Sequence, residues 1–344
     1  MSALHHGLHL QKYKKISILY RFFPIFLRKN VITGHNYEFF EYLCMTKLIN
    51  MEKFATNVDE QIEKLESRGM TIGDKNKAKE CLLDIGYFRL GFYWFPFEKS
   101  YPRKIYRTHE FKEGTCFDYA IRLYYFDYDL RNILLKYISR IEINFRTKLI
   151  YHASNRYNQD PFWYQNCKYV NKAFVEDDVM KKAMKNASKE DVIIKDMRAH
   201  KRSISPAWKT MEFFSFGTII SLYENLKEVP LKCEISNLYG MSSPNNFLSY
   251  IDTVRKLRNY CAHGKVLFDK NLPEAISNGP LGNLGNSKTQ LFGAYRVLEY
   301  LLGQVSQNRV EDMKQEVKDL FDKMPDDIVK QIILQNSGFQ LSML

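Results

Sequence analysis

Helix-breaking residues are scarce along this chain, and their scarcity limits what it can fold into. Its 344 residues include 16 glycines and 10 prolines, while apolar residues recur at helical spacing through long stretches. Because glycine and proline interrupt helices, long periodic segments without them favour helix. Hydrophobic residues make up 45% of the chain, enough for one large core or two smaller ones. The sequence therefore predicts an all-α protein.

The chain is basic, with 51 Lys and Arg residues against 39 Asp and Glu and a formal net charge of +12. Such an excess attracts polyanions, of which RNA, DNA and an anionic membrane surface are the usual examples. Many soluble proteins are equally basic without binding any of them. Charge alone therefore favours a nucleic-acid partner only modestly.

The cysteines are dispersed, and none forms a CxxC pair or a zinc-ligand spacing. This pattern is typical of reduced, mostly buried thiols in a cytoplasmic protein rather than of a disulfide framework. We therefore expect no disulfide partner, no metal and no cofactor. The six cysteines are Cys44, Cys81, Cys116, Cys167, Cys233 and Cys261.

Residues 1–50 differ in character from the rest of the chain. Within them, residues 16–32 are apolar but are interrupted by Arg21 and Pro24, and the run is too short to span a bilayer comfortably. A segment that lies on a membrane surface is one interpretation. The interpretation that we favour is an extension upstream of a true start at Met51, with no membrane partner.

Helix-capping residues organise the chain from residue 51 onward. Residues 56–59 offer N-cap side chains for a first helix, which Gly69 ends. Asp74 then caps a second helix, which Gly86 ends. We expect these helices to belong to an N-terminal subdomain.

An aromatic cluster with one arginine follows at residues 87–97 and completes this subdomain, which we place at residues 51–115. Aromatic rings beside an arginine can stack RNA bases. At this density, however, aromatic residues belong far more often to a core, and we interpret them as core.

Residues 116–335 form the second predicted part, a helical domain with a charged insertion near residues 165–209. Its first segments, residues 117–137 and 139–156, hold apolar residues at helical spacing and predict a pair of helices. The insertion contains eleven basic residues against six acidic ones between Cys167 and Lys209. It suits an RNA-facing element and a solvated helical hairpin equally well. Two acid–base pairs lie four residues apart and can share a helix face: Asp127 with Arg131, and Glu142 with Arg146.

Residues 249–263 form a helical stretch whose last turns carry Arg258 and His263, and Gly264 then ends the helix. A histidine at this position can leave the helix, and beside an arginine it suits proton transfer next to a phosphate. In the alternative interpretation, Arg258 pairs with an acidic neighbour and His263 closes the helix through a carbonyl hydrogen bond. The apolar stripe of this helix consists of Ile251, Val254, Leu257 and Cys261.

Three blocks of sequence carry a family resemblance. Residues 59–97 end in GYFRLGFYWFPF, residues 125–152 read YFDYDLRNILLKYISRIEINFRTKLIYH, and the third block joins MEFFSFGTIISLYENL at 211–226 to RKLRNYCAHGKV at 255–266. A lone RxxxxH is common by chance. Together, in this order and spacing, the blocks resemble the Abi family of bacterial abortive-infection proteins, the AbiD/AbiF-like group within the HEPN superfamily.

The resemblance implies a HEPN-like helical bundle and a metal-independent endoribonuclease whose Rx4-6H motif carries the chemistry. RNA supplies its own nucleophile, the 2′-hydroxyl, so such an enzyme needs a proton acceptor and a cation for the phosphorane. Histidine has an ordinary pKa of ~6.5, and arginine stays charged. The expected products are a 2′,3′-cyclic phosphate and a 5′-hydroxyl. Carried over to this chain, the catalytic residues are Arg258, Asn259 and His263. As substrate contacts we predict Arg255, Lys256, Lys265 and Glu142.

Arg146 and His152 form a second candidate motif with family spacing. Six positions put their side chains about 120° apart around an ideal helix. They could converge with Glu142 on the first motif and belong to the catalytic residues. Alternatively, Arg146 pairs with Glu142, and His152 lies in a partly buried interface.

The resemblance also implies a role and partners. We expect an anti-phage toxin that forms a homodimer and cuts RNA, held in check by a small non-coding RNA or by a partner protein. Relatives often place a second histidine or a basic residue directly after the motif histidine, where this chain has Gly264 and then Lys265. The alternatives are a non-catalytic RNA-binding or phage-sensing protein and a toxin that acts on membranes through residues 16–32.

Overall fold

Helices supply the regular structure of this protein. A computed structural model describes residues 54–105, 107–340 and 342. That part of the chain contains fourteen α-helices, and its β-type pairing is confined to isolated bridges, so the all-α prediction is confirmed. The helices are α1 Val58–Ser67, α2 Lys75–Asp84, α3 Tyr87–Trp94, α4 Phe117–Arg156, α5 Lys172–Val175, α6 Asp178–Ala187, α7 Asp191–Ala199, α8 Ala207–Thr210, α9 Phe216–Glu224, α10 Val229–Asn237, α11 Pro244–Ala262, α12 Leu291–Gly303, α13 Gln307–Asp322 and α14 Asp327–Ser337.

Local signals end the first two helices, and start the second, as predicted. The Asp74 carboxylate accepts hydrogen bonds from the backbone N–H groups of Asn76 and Lys77 and so caps α2. Gly69 follows α1 and Gly86 follows α2, each with a φ of +92°. Glycine adopts this left-handed backbone without a steric penalty, which is why both helices end there.

The central helix α4 contradicts the sequence prediction of two helices. It runs without interruption over 40 residues, a length of about 60 Å at 1.5 Å per residue. No glycine or proline lies near the predicted junction. The Ser139 hydroxyl donates to the Lys136 carbonyl at 2.8 Å, within the helix itself, so this serine does not end it. Buried side chains occur from one end of α4 to the other, from Phe117 to Ala153.

The other helices pack around α4. Its main neighbours are α3, α11 and α13, and α10 and α12 also contact it. The helix that carries the Arg/His motif, α11, begins where the Ser243 hydroxyl accepts a hydrogen bond from the backbone N–H of Asn246. The predicted apolar stripe of α11 is confirmed. Its buried members are Ile251, Val254, Leu257 and Cys261.

The aromatic cluster is only partly core, which corrects the sequence interpretation. On α3, Leu90, Tyr93 and Trp94 are buried. Phe88 and Phe92 instead project from the opposite face and are 82% and 49% exposed. Because α3 has one face against α4, side chains at helical spacing on its other face remain outside the core.

The charged insertion contains three complete helices, α5 to α7, and the start of α8, rather than a hairpin. Its fold depends on the buried carboxylate of Asp196, which accepts hydrogen bonds from Ser205, Arg202 and Lys209. Burial alone would raise the pKa of Asp196, but these hydrogen bonds hold it well below its ordinary value. Part of the positive charge of the insertion is therefore already neutralised within it.

The chain divides into two compact units, Met1–Asn57 and Val58–Leu344. The predicted extension at residues 1–50 lies outside the described residues. Within the second unit, buried side chains from both predicted parts, residues 51–115 and 116–335, belong to one hydrophobic core. None of the described helices has the length and apolarity needed to cross a bilayer.

Candidate functional site

His263 lies at the end of α11 with an exposed side chain. Its backbone N–H donates to the Asn259 carbonyl at 3.1 Å and so closes the last turn. Gly264 follows with a φ of +60° and ends the helix. Among the described residues, the imidazole has no hydrogen-bond or ion-pair partner. The helix is thus closed by the backbone of His263, and the ring is left free.

Arg258 lies one and a half turns earlier, with its side chain 39% exposed. Its Nε atom is 3.7 Å from the Glu142 carboxylate of α4. Its guanidinium also donates a long hydrogen bond, 3.5 Å, to the side-chain oxygen of Asn259. The acidic partner of the alternative interpretation therefore exists, but the pair is loose, and one side of the guanidinium faces solvent.

Arg146 shares Glu142 with Arg258. It donates to the Glu142 carboxylate at 3.3 Å, so the predicted pairing of these two residues is confirmed. It also donates to the Phe214 carbonyl at 2.9 Å, and its side chain is only 13% exposed. Arg146 thus joins α4 to the segment before α9 through its Nη2 atom, while its buried Nε atom has no hydrogen-bond partner among the described residues.

His152 does not join this cluster. Its Nδ1 atom lies 2.6 Å from the Glu234 carboxylate of α10. Its position on α4 is about 120° around the helix from Arg146. The structure therefore brings together Glu142, Arg146 and Arg258 and places His152 in a contact with a different helix.

No hydrogen bond joins Arg258 to His263. Five positions on an ideal helix separate two side chains by about 140°. In a single chain, the arginine thus points towards α4 and Glu142, whereas the histidine leaves the end of α11 in another direction.

The predicted substrate contacts fall into two groups. The Lys256 ammonium lies 2.8 Å from Asp252 and 2.7 Å from Glu274, and Arg255 donates to Asp252 at 2.6 Å. Burial opposes the charge on Asp252, but the hydrogen bonds from Arg255 and Lys256 hold its pKa below the ordinary value. Lys265, by contrast, is exposed and has no acidic partner among the described residues. Of these three cations, Lys265 is the one free to meet a phosphate.

Arg89 of α3 is a residue that the sequence interpretation missed. Its Nη1 atom donates to the carbonyl of Gly264, the residue that follows His263, at 2.8 Å. Arg89 and Gly264 are 175 positions apart in the chain. Arg89 is exposed and has no acidic partner in the described part of the chain. The signal in the sequence is the single arginine within the aromatic cluster of residues 87–97.

A buried carboxylate anchors the chain just after the motif. Asp127 of α4 is fully buried and accepts hydrogen bonds from the backbone N–H groups of Leu267 and Phe268, each at 2.9 Å. The Tyr93 hydroxyl of α3 donates to it at 3.0 Å. Burial raises the pKa of Asp127 to about 6, and these hydrogen bonds limit the rise.

Arg131 completes the anchor. It lies 2.8 Å from Asp127, as their spacing of four residues predicted, and it donates to the Lys265 carbonyl at 3.2 Å. Since Asp127 and Arg131 both belong to α4, the end of α11 is held in a set position relative to the central helix.

Cys261 is buried on the apolar stripe of α11, and burial raises the pKa of its thiol to about 12. A thiol in this state is a poor nucleophile. In the described part of the chain, no group of three or more His, Cys, Asp or Glu side chains is arranged to hold a metal ion.

The fold and this site define an all-α protein with an exposed Arg/His motif at the end of a helix that packs on a long central helix. The chain belongs to the Abi-like protein family, whose sequence profile matches residues 80–269. The matched region includes the central helix, α11 and the motif. Family membership points to abortive infection, a form of phage defence. No curated protein and no solved structure matches the chain.

Proposed function

We propose that this protein is an abortive-infection toxin that acts in the cytoplasm as a metal-independent endoribonuclease of the HEPN type. The observation that carries the proposal is the free, exposed ring of His263 on the same helix as the part-exposed Arg258. An imidazole without a partner is able to exchange a proton with a substrate. A guanidinium held by one loose ion pair is able to grip a phosphate.

In the proposed reaction, the 2′-hydroxyl of an RNA nucleotide attacks the adjacent phosphorus while His263 accepts its proton. Arg258 stabilises the negative charge that develops on the phosphorane oxygens, and Asn259 orients the guanidinium. The bond between phosphorus and the 5′-oxygen then breaks, that oxygen takes up a proton from water, and the protonated His263 releases its proton to solvent. The products are a 2′,3′-cyclic phosphate and a 5′-hydroxyl.

A homodimer is part of this proposal. Because Arg258 and His263 of one chain diverge by about 140°, a second copy of α11 would allow an RNA strand to meet the arginine of one motif and the histidine of the other. An active ribonuclease must also be inhibited before infection. The unpaired cations Arg89 and Lys265 suit a small RNA as the inhibitor.

Purified full-length protein with His263→Ala or Arg258→Ala tests the proposal. Each variant should lose RNA cleavage and toxicity while its helical content stays unchanged. The control is His200→Ala, which removes another exposed histidine, in the insertion. Cleavage at the wild-type rate by both motif variants would overturn the proposal. RNA binding without cleavage by the wild type would favour the non-catalytic RNA-binding or phage-sensing alternative.

A further inference from the structure

Two phenylalanines on the outer face of α3 lie open to solvent. Phe88 and Phe92, the aromatic pair, have ring centroids 5.3 Å apart and an interplanar angle of 82°. Exposing two large rings side by side forgoes the favourable free energy of burying them. Contiguous exposed apolar surface of this kind marks an interaction site.

Arg89 connects the aromatic pair to the motif. On α3, Arg89 and Phe92 are three positions apart and Phe88 and Phe92 are four apart, so these side chains are neighbours on the helix surface. The same arginine donates to the Gly264 carbonyl, one residue after His263. The aromatic pair is therefore adjacent to the group that contacts the end of the motif.

Arg89 and Lys265 supply positive charge at the edge of this surface that meets the motif. Arg89 and Lys265 have no acidic partner among the described residues. The ring of Tyr260, within the motif, has the Lys265 ammonium at 5.4 Å and the Lys270 ammonium at 4.7 Å from its centroid. Exposed rings flanked by unpaired cations are the combination that binds single-stranded nucleic acid, because rings stack on bases and cations meet the phosphates. An apolar protein partner would not need the cations.

From these contacts we infer that the aromatic pair binds one unpaired RNA base next to the phosphate that is cut, with Arg89 and Lys265 on the flanking phosphates. This inference rests on the proposed function, which supplies the position of the cut. What it adds is the set of residues that hold the substrate. The two rings are nearly perpendicular, so a flat base can stack on one ring while its edge meets the other. The surface thus accepts a single base, and only from an unpaired strand.

Fluorescence anisotropy with a short, unstructured, labelled RNA tests the inference. The full chain carries His263→Ala in every sample, so that the RNA is not cut and the result does not depend on catalysis. Adding Phe88→Ala or Phe92→Ala should weaken binding by about 5- to 150-fold, the range for loss of one stacked base. Phe88→Trp keeps an aromatic ring at this position and should therefore keep RNA binding close to that of the parent with Phe88. Val192→Ala, which removes an exposed apolar side chain of α7, is the control and should leave binding unchanged.

Two further probes separate stacking from a structural effect. Phe88→Ala should leave the binding of a fully paired RNA duplex unchanged, and likewise that of an abasic strand of the same length. Equal losses on all three probes, or no loss on the unpaired RNA, would overturn the inference. A change in sedimentation mass on Phe88→Ala or Phe92→Ala, with RNA binding intact, would also overturn it and assign the pair to contact with a second copy. Cleavage by the wild type is measured separately, so failure of the proposed function is recognised on its own.

Discussion

Arg258 of the motif helix lies 3.7 Å from Glu142 of the central helix. Glu142 also forms an ion pair with Arg146 at 3.3 Å, so one carboxylate pairs with two arginines that differ in exposure. Because Arg146 has a second partner in the Phe214 carbonyl, the more exposed Arg258 is the arginine that can exchange Glu142 for a phosphate. The two arginines therefore have different expected roles.

We expect Arg146→Ala to lower the free energy of unfolding by about 2–3 kcal/mol, because it leaves the Phe214 carbonyl without a donor and Glu142 with only the looser Arg258 contact. Arg258→Ala should lower it by about 1 kcal/mol or less, as for other partly exposed ion pairs. Urea unfolding followed by circular dichroism measures both. Equal losses would show that Arg258 is as deeply embedded as Arg146.

His152→Ala should keep RNA cleavage close to that of the wild type. His152 is held by Glu234 on α10 and does not contact Glu142, Arg146 or Arg258. Cleavage rates of His152→Ala and His263→Ala, compared at equal protein concentration, decide the point. A similar loss of cleavage rate in both variants would show that His152 belongs to the catalytic site.

Asp127→Ala should destabilise the protein by about 3–5 kcal/mol, because it leaves the buried Arg131 and two backbone N–H groups without their acceptor. Asp129→Ala removes an exposed carboxylate on the same helix and serves as the matched control, with a change near zero. Chemical unfolding of the two variants provides the comparison. A small effect of Asp127→Ala would mean that the segment after the motif is not held by this anchor.

Stability should also depend on pH through Asp127. Burial raises the folded-state pKa of Asp127 to about 6 from an ordinary value of 3.8. Its contribution to stability is fully present below the ordinary pKa, where both states are protonated. It is lost as the pH rises through the folded-state pKa, because the unfolded chain releases the proton first. The free energy of unfolding of the wild type, relative to Asp127→Asn, should thus decline between about pH 4 and pH 6. A flat difference across this window would contradict the prediction.

Lys265→Gln should weaken RNA binding and reduce the salt dependence of the affinity, with a change in log–log slope of about 0.7 for one lost contact to single-stranded RNA. Lys256→Gln is the control. Its ammonium already lies between Asp252 and Glu274, so it should change the slope little. Binding titrations at several salt concentrations measure both slopes. Equal changes would mean that Lys256 leaves its acidic partners when RNA binds.

Features that depend on neighbouring residues in the chain could be read from the sequence. The Asp74 cap, the apolar stripe of α11 and the pairs Asp127–Arg131 and Glu142–Arg146 all follow from spacing within one helix. The resemblance to the Abi family rested on blocks that the family match now covers in large part. The error over α4 arose because periodicity does not reveal whether two adjoining helical segments are continuous.

Other features were decided only by the tertiary structure. Arg89 meets Gly264 across 175 positions, and Asp127 meets Leu267 across 140. Helical spacing shows that a side chain faces outward or inward, but the packing of α3 and α11 on α4 determines which backbone groups it reaches. For the same reason, composition assigned Phe88 and Phe92 to the core, whereas the position of α3 against α4 leaves both rings exposed to solvent.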